Sequence, residues 1–186
     1  INVEVVQETA MREVVDLVFV VVPFKRALYL METGLADLML GPNRTAERRK
    51  FMYYFGAALP SEAKAIYTGL GQSNVMSLDD LDHKTVGVLR GANYNWQLDN
   101  VADVQLVEAA DYPTLFRMLD LQRLDALIVP ELLAVEHIKQ DGPYRIRKAD
   151  FVLQGQPSFI ALSRASTYFT DGTFDEIYAH YAGSGT

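Results

Sequence analysis

The sequence predicts an α/β fold of two similar lobes, and two observations carry this prediction. The first is an internal repeat: residues 30–40 and 118–128 both combine a helix end, a short turn, an aspartate and an apolar run. Asp37 and Asp125 align in the two copies, and the runs after them are short enough to be buried strands. The second is the alternation of predicted strands and helices, which favours largely parallel sheets covered by helices. Two similar lobes on a short chain suggest a ligand-binding cleft between them.

Composition narrows the class of protein. The 186 residues are 49% hydrophobic, which is enough to bury a core in one domain or two small ones. The formal net charge of −7 argues against nucleic-acid binding, which needs a basic surface. No apolar run reaches the ~18 residues that a membrane helix needs. The chain has no cysteine, which excludes thiolate metal sites and permits an oxidising compartment.

In the first part of the chain, proline and glycine mark the ends of predicted strands and helices. Pro23 ends one predicted strand, and Gly34 is a plausible stop for the helix that follows it. Thr45 is placed as the N-cap of another helix. The Gly/Ser-containing stretch 69–73 is the best linker candidate. The elements predicted here are helices at 5–14, 25–33 and from 46, and strands at 16–22, 38–40 and 64–68.

The second part alternates more regularly. Residues 86–89 form an apolar run short enough for a strand, and the turn at 91–93 leads into a helix through Leu98. Pro130 occupies the first turn of a helix, where its missing N–H is not needed. We place lobe 1 at residues 1–68 plus 157–186 and lobe 2 at residues 69–156. The elements predicted here are helices at 78–81, 112–121, 130–139 and 174–181, and strands at 85–89, 104–107, 124–129 and 159–162.

The first candidate ligand loop follows the carboxyl end of the strand at 38–40, which is where open α/β sheets bind ligands. Gly41 and Asn43 offer backbone N–H groups and a polar side chain, and Arg48 offers a cation. Arginine can hold a carboxylate with two parallel hydrogen bonds. Taken alone, the stretch is better interpreted as an N-capped surface helix with Arg48 in solvent.

The second candidate loop follows the strand at 85–89. Gly91, Asn93 and Tyr94 lie at a predicted helix start, whose free N–H groups suit an anion. The loop has no complete glycine-rich phosphate motif, so nucleotide binding is weakly supported. Taken alone, it is an ordinary strand-to-helix turn.

Aromatic rings near predicted strand ends could stack on a ligand, although core packing explains most of them. Phe24, directly after Pro23, is the exception. Catalytic residues are poorly supported, because His83, His137 and His180 each have a structural interpretation and no serine lies in a G-x-S-x-G context. The aromatic candidates are Phe24, Tyr53, Tyr54, Tyr94 and Trp96.

Four ordered motifs resemble the extracellular solute-binding proteins of the polar amino-acid type, which serve ABC importers. They span most of the chain. They are Asp37 followed by TAER at 45–48 and an aromatic stretch at 51–55, LDDL at 78–81 with VGV at 86–88 and Gly91, RLDA at 123–126, and GTFDEIY at 172–178.

The resemblance implies a periplasmic-binding-protein type II architecture. In that architecture two α/β lobes, each a mixed, mostly parallel sheet flanked by helices, are joined by two hinge strands and close on the ligand. By resemblance, Arg48 would hold the ligand's carboxylate, with hydrogen bonds from Gly41 and Asn43. The second lobe's helix start would contact the same end of the ligand, and Phe24 would supply a ring. The implied second-lobe residues are Gly91, Asn93 and Tyr94.

One departure from the family pattern bears on the ligand. Amino-acid binders carry an acidic residue just after the x-D-A strand, where it pairs with the α-ammonium. This chain has Pro130 there, with Glu131 one step later. We therefore expect a small solute that either lacks an α-ammonium or has it paired by Glu131.

The leading functional hypothesis is a periplasmic or extracytoplasmic solute-binding protein. It would bind a carboxylate-bearing solute as a monomer, deliver it to an ABC permease, and use no cofactor, metal or nucleic acid. The alternatives are an enzyme on the same fold, such as a dehydratase or lyase of small carboxylates, and the sensor domain of a membrane receptor. No acid/base pair is predicted to flank the cleft, which favours binding over catalysis.

We also expect the chain to lack parts of the natural protein. It begins at a predicted helix with no preceding strand, and its first residue is not methionine. The segment 167–173 is too short for the helix that the family has there.

Overall fold

A computed structural model describes residues 18–55, 61–94, 98 and 101–170. Two compact units divide the chain between them. Unit 1 comprises Ile1–Val22, Arg26–Pro60 and Pro157–Thr186, and unit 2 comprises Pro23–Lys25 and Ser61–Gln156.

The described elements alternate in type along much of the chain, and two 3-10 turns, Arg48–Lys50 and Leu78–Leu81, interrupt them. No helix among the described residues has the length and apolar character needed to cross a bilayer. In chain order the elements are α1 (Phe24–Thr33), β1 (Leu38–Asn43), β2 (Met52–Tyr54), β3 (Lys64–Gly69), β4 (Thr85–Leu89), β5 (Gln105–Ala109), α2 (Tyr112–Asp120), β6 (Ala126–Pro130), α3 (Glu131–Asp141), β7 (Ile146–Leu153), β8 (Ser158–Ser163) and α4 (Thr167–Thr170).

The described strands of unit 1 form one sheet in the order β1-β8-β2. Both ladders are antiparallel, with Met39 opposite Ala161 and Tyr53 opposite Leu162. The β1–β8 register becomes irregular between Leu40 and Asn43. The carboxyl ends of β1 and β2 therefore lie at the same end of the sheet as the start of β8.

Unit 2 contains a five-stranded sheet in the order β5-β4-β6-β3-β7. β4 runs parallel to β5 and β6, whereas β3 runs antiparallel to β6 and β7. Alternate residues of the strands enter two buried clusters, as the two-residue period of a strand requires. One cluster contains Ile66, Val86, Ile128 and Ala149, and the other packs α2 and α3 against the sheet through residues that include Tyr67, Phe116, Leu127 and Ala134.

The internal repeat has the same helix-end geometry in both copies. After α1, the backbone N–H of Leu35 donates to the carbonyl of Leu30 at 2.9 Å. After α2, the N–H of Arg123 donates to the carbonyl of Met118 at 2.8 Å. This closure needs a left-handed residue just past the helix, and Gly34 and its counterpart Gln122 have φ values of +71° and +56°.

The aligned aspartates both tie the turn to another segment of their own unit. The carboxylate of Asp37 accepts a hydrogen bond from the Ser166 hydroxyl at 2.7 Å. The carboxylate of Asp125 accepts one from the backbone N–H of Thr85, at the start of β4, at 2.8 Å. The repeated aspartates are therefore structural hydrogen-bond acceptors in the two units.

Three features differ from the predicted elements of the first part. Residues 18–22 of the predicted strand have no regular structure, and Val18 and Val21 are 86% and 99% exposed because no described strand pairs with them. The helix predicted from 46 is reduced to a 3-10 turn. Stretch 69–73 is a turn inside unit 2, not a linker, because Gly69 already belongs to the five-stranded sheet.

The strand predicted at 64–68 exists, but it lies in unit 2 and not in lobe 1, because it pairs on both sides with strands of that unit. β2 and β7 were not predicted, since β2 has three residues and β7 carries charged residues along an edge strand. The described ladders are also more antiparallel than predicted. The helices predicted at 5–14 and 174–181, most of the helix after Asn93, and the segment 171–173 lie outside the described residues.

Substitution of Gly34 by alanine should destabilise the protein through a steric clash in addition to backbone strain at its positive φ angle. A Cβ at Gly34 would lie 2.8 Å from the carbonyl oxygen of Ala165 and 3.0 Å from its Cβ, whereas Gly41, with φ +85°, has nothing within 4 Å. We expect Gly34→Ala to lower the free energy of unfolding by at least about 1 kcal/mol more than Gly41→Ala. Urea denaturation of both variants measures the difference, and equal losses would contradict the contact.

Candidate functional site

The loop after β1 places Arg48 inside unit 1. Its 3-10 turn follows a short polar link in which the Thr45 hydroxyl accepts a hydrogen bond from the Arg48 N–H at 3.2 Å. The hydroxyl of Thr45 therefore accepts from the first residue of a single 3-10 turn, whose N-cap position is Glu47, and the longer helix predicted there is absent. The Arg48 side chain is buried, with 6% of the residue exposed, so it does not extend into bulk solvent.

The backbone carbonyl of Asn43 is the shared acceptor of this loop. It accepts one hydrogen bond from Nη1 of Arg48 at 3.2 Å and another from the Tyr54 hydroxyl at 3.1 Å. The Asn43 side chain in turn donates from Nδ2 to the carbonyl of Pro157 at 3.1 Å. The end of β1, the 3-10 turn, the end of β2 and the start of β8 are thereby tied together.

Burial shifts the ionisation of both side chains that donate to Asn43. Burial lowers the pKa of Arg48, while Tyr54 and Glu47 oppose that shift. Burial raises the pKa of Tyr54, and the nearby guanidinium groups of Arg48, Arg44 and Arg49 oppose it. Arginine stays charged at any physiological pH, so the loop holds a desolvated cation beside a neutral phenol.

The second candidate loop lies at the carboxyl edge of the unit 2 sheet. β4 and β6 are parallel neighbours, so the loop after Leu89 and the start of α3 lie at the same edge. Gly91 has φ +82°, and the N–H of Ala92 closes the turn on the carbonyl of Leu89 at 3.0 Å. Asn93 is half-buried.

Tyr94 is a core residue of unit 2. It is buried in the cluster that contains Leu98 and Val101, and its hydroxyl lies 3.2 Å from that of Tyr112. Burial raises the pKa of both tyrosines, for Tyr112 by a large margin, and the hydrogen bond lowers that of Tyr94. The ring that was expected to contact a ligand is thus packed in the hydrophobic core.

Glu131 is the first residue of α3, and its carboxylate forms an ion pair with Lys148 on β7. Its backbone N–H donates to the carbonyl of Ala63 at 3.1 Å. Burial raises the pKa of the adjacent Tyr67, with Lys148 lowering it and Glu131 raising it. The carboxylate that was expected to meet an α-ammonium therefore already has a cationic partner, which the sequence did not reveal because β7 was not predicted.

The remaining predicted residues are placed as follows. Phe24 begins α1 directly after Pro23 and is half-buried, and Gly41 lies where the β1–β8 register becomes irregular. Within unit 1, Gly41 and Asn43 lie in β1 itself, which extends beyond the strand predicted at 38–40, and the carbonyl of Asn43 contacts Arg48 on the segment that follows. Gly91, Asn93, Tyr94 and Glu131 share one edge of unit 2.

One polar cluster lies away from these loops. Near the end of α3, Nδ1 of His137 lies 2.9 Å from Asp141, its Nε2 lies 3.0 Å from the Tyr144 hydroxyl, and its ring packs 4.6 Å from Phe116. This cluster fastens α3 to the start of β7 and does not join Glu131 at the other end of the helix. Among the residues described, no group of three acidic, histidine or cysteine side chains could hold a metal ion.

The chain is similar to amino-acid-binding proteins in sequence. It is 29% identical over 112 residues to the L-cystine-binding protein TcyJ of Escherichia coli (strain K12), a match that covers 59% of this chain and 42% of that protein. It is 27% identical over 142 residues to PatH of Vibrio harveyi, named as an amino-acid ABC transporter-binding protein, with 76% and 57% covered. The chain thus spans about half the length of the curated relatives it matches. No protein-family model matches it.

The fold is similar to that of a solved protein structure. The holo arginine-binding protein ArgBP of T. maritima superposes with a TM-score of 0.80 at 20% identity, covering 97% of this chain and 77% of that one. The α/β fold with mixed sheets that the resemblance implied is confirmed, as is the resemblance to amino-acid-type solute-binding proteins.

Alkaline pH should destabilise the protein through its buried tyrosines. Their folded-state pKa values lie above the value of about 10 in an unfolded chain, so above that pH the unfolded state loses protons that the folded state keeps. Stability should fall as pH rises past about 10, by up to ~1.4 kcal/mol per pH unit for each such tyrosine. Urea denaturation from pH 8 to 11 should show a smaller fall for Tyr112→Phe. The exposed Tyr168→Phe is the control, and the same slope in both variants would contradict the assignment.

Proposed function

We propose that this protein is an extracytoplasmic solute-binding protein that captures a small carboxylate-bearing solute, an amino acid or a related compound, for an ABC importer. The observation that carries the proposal is the buried Arg48 guanidinium on the loop after β1, which donates to the carbonyl of Asn43 at the end of that strand. The names of the two curated relatives, a cystine-binding protein and an ABC transporter-binding protein, support the same function.

Arg48 has the chemistry that recognition of a carboxylate requires. A guanidinium has five N–H donors in a planar fork, and a carboxylate can accept two of them in parallel. The hydrogen bond to Asn43 fixes the orientation of the fork before a ligand arrives, which lowers the entropic cost of binding. Burial also strengthens the attraction, because the effective dielectric constant is lower than in water.

Unit 2 would supply the remaining contacts through Gly91 and Asn93, whose loop follows a parallel strand at its carboxyl end. The buried Tyr94 would support that loop rather than touch the ligand. Phe24 would contact the ligand through its ring, and Gly41 would contact it through its backbone. The proposed partner is the importer's permease, and the protein would act as a monomer outside the cytoplasm.

Binding rather than catalysis is supported by the chemistry of the candidate loops. General acid–base catalysis needs a titratable pair within hydrogen-bond reach of a reacting atom. In the described loops at 44–50 and 90–94 and at the start of α3, the carboxylates are those of Glu47, which is exposed, and of Glu131, which is already paired with Lys148. Turnover of a bound solute would favour the alternative, an enzyme acting on small carboxylates.

Loss of the Arg48 side chain should weaken ligand binding. A thermal-shift panel of amino acids, including L-cystine, L-arginine and L-glutamine, with small carboxylates and polyamines, identifies the ligand, since binding to the folded state raises stability. Removal of a charge-assisted hydrogen-bonded pair costs about 1.5–3 kcal/mol, so Arg48→Ala should raise the Kd about ten- to hundred-fold by calorimetry.

The matched control for Arg48 is its exposed neighbour, because Arg49→Ala removes the same charge from the same turn. Thermal denaturation verifies that each variant is folded, and Arg48→Lys, which keeps the buried charge, replaces Arg48→Ala if the latter unfolds. Parent-like affinity in a folded Arg48 variant would show that the ligand's carboxylate is bound elsewhere.

Substitution of Glu131 distinguishes a ligand with an α-ammonium from a ligand without one. If the ligand carries an α-ammonium that Glu131 pairs, Glu131→Gln should weaken binding of that ligand about tenfold or more. The affinity for the matching des-amino acid should stay unchanged. Lys148→Met should strengthen binding of such a ligand, because it releases the Glu131 carboxylate from its ion pair with Lys148. Tight binding of common α-amino acids that survives Glu131→Gln would contradict the proposed role.

A further inference from the structure

A second arginine lies on the same loop of unit 1 and is supported by aromatic rings. The guanidinium carbon of Arg44 lies 4.1 Å from the ring centre of Phe159 and 5.4 Å from that of Tyr54. The two rings meet edge to face, with their centres 5.8 Å apart. Arg44 is therefore held over a two-ring platform at the joined ends of β1, β2 and β8, although it is exposed.

This stacking leaves the hydrogen-bonding capacity of Arg44 available. A guanidinium has five N–H donors, and two ring contacts on an exposed side chain do not use all of them. No described carboxylate forms an ion pair with Arg44. The side chain thus lies against two rings and carries a charge that forms no ion pair with a described carboxylate.

Tyr54, one of the two rings of this platform, also adjoins Arg48. Tyr54, beneath Arg44, donates its hydroxyl hydrogen bond to the same Asn43 carbonyl that Arg48 contacts. Both cations therefore adjoin one phenol. The segment 44–50 carries four cationic residues and one acid, in a chain whose net charge is −7, so this loop is locally positive.

We propose that Arg44 is a specificity-determining residue of the ligand site: it is a second cation beside Arg48 that selects solutes with a second acidic group and disfavours cationic solutes. This inference rests on the proposed function, because it assigns a class of ligand to the same site. The attraction would add a charge-assisted hydrogen bond for a dicarboxylic solute, and like-charge repulsion would act against lysine-like or arginine-like side chains.

Isosteric ligand pairs test this inference directly. Calorimetry at 0.15 M salt, where exposed charges are screened beyond ~8 Å, compares L-glutamate with L-glutamine, L-aspartate with L-asparagine, and both acids with L-arginine. The parent protein should bind at least one acid about tenfold or more tightly than its amide. Arg44→Gln should reduce that preference about ten- to hundred-fold, with little change for the amide.

Lys50→Gln is the charge-matched control, because it removes one positive charge from the same exposed segment without touching the rings. It should keep the acid preference within about twofold, and Arg44→Lys should keep part of it. Equal affinity for acid and amide, tighter binding of L-arginine, or a preference that survives Arg44→Gln would overturn this inference and leave the proposed function standing. Failure of every solute in this panel and in the wider thermal-shift panel to bind would overturn both.

Discussion

The candidate site of unit 1 depends on one backbone carbonyl. Burying an arginine is costly unless its donors are satisfied, and the carbonyl of Asn43 accepts from both Arg48 and Tyr54. This shared acceptor fixes the orientation of the buried guanidinium and of the phenol ring over which Arg44 is stacked. The Asn43 carbonyl therefore supports both the Arg48 guanidinium and one of the rings that Arg44 contacts.

The candidate loops of the two units differ in the charges they carry and in how those charges are paired. In unit 1 the loop after β1 concentrates cations and holds them with neutral carbonyls and aromatic rings. In unit 2 the carboxylate of Glu131 is matched by Lys148, and the adjoining tyrosines are buried. The field near the unit 1 loop depends on its own charges more than on the net charge of the chain, because distant exposed charges are screened by salt.

The two copies of the internal repeat share one helix-end geometry but pack against different neighbours. Both copies end a helix with a left-handed residue and follow it with an aspartate, but Gly34 lies against Ala165 and requires the absence of a side chain. Gln122 occupies the same backbone conformation, so strain is tolerated there. The aspartates also differ in partner, since one accepts from a serine hydroxyl and the other from a strand's N–H group.

The sequence alone determined the elements whose signal is local. The apolar run at 85–89 was predicted with the bounds of β4, and the helix before the second aspartate within one residue, because apolar spacing and turn residues define both. The tertiary structure decided what depends on distant neighbours: that 64–69 joins unit 2, that β7 forms despite its charges, that 18–22 pairs with no described strand, and that Glu131 meets Lys148. Strand pairing and ion pairs join residues far apart in the chain, and no local pattern records which distant group will satisfy a backbone or a charge.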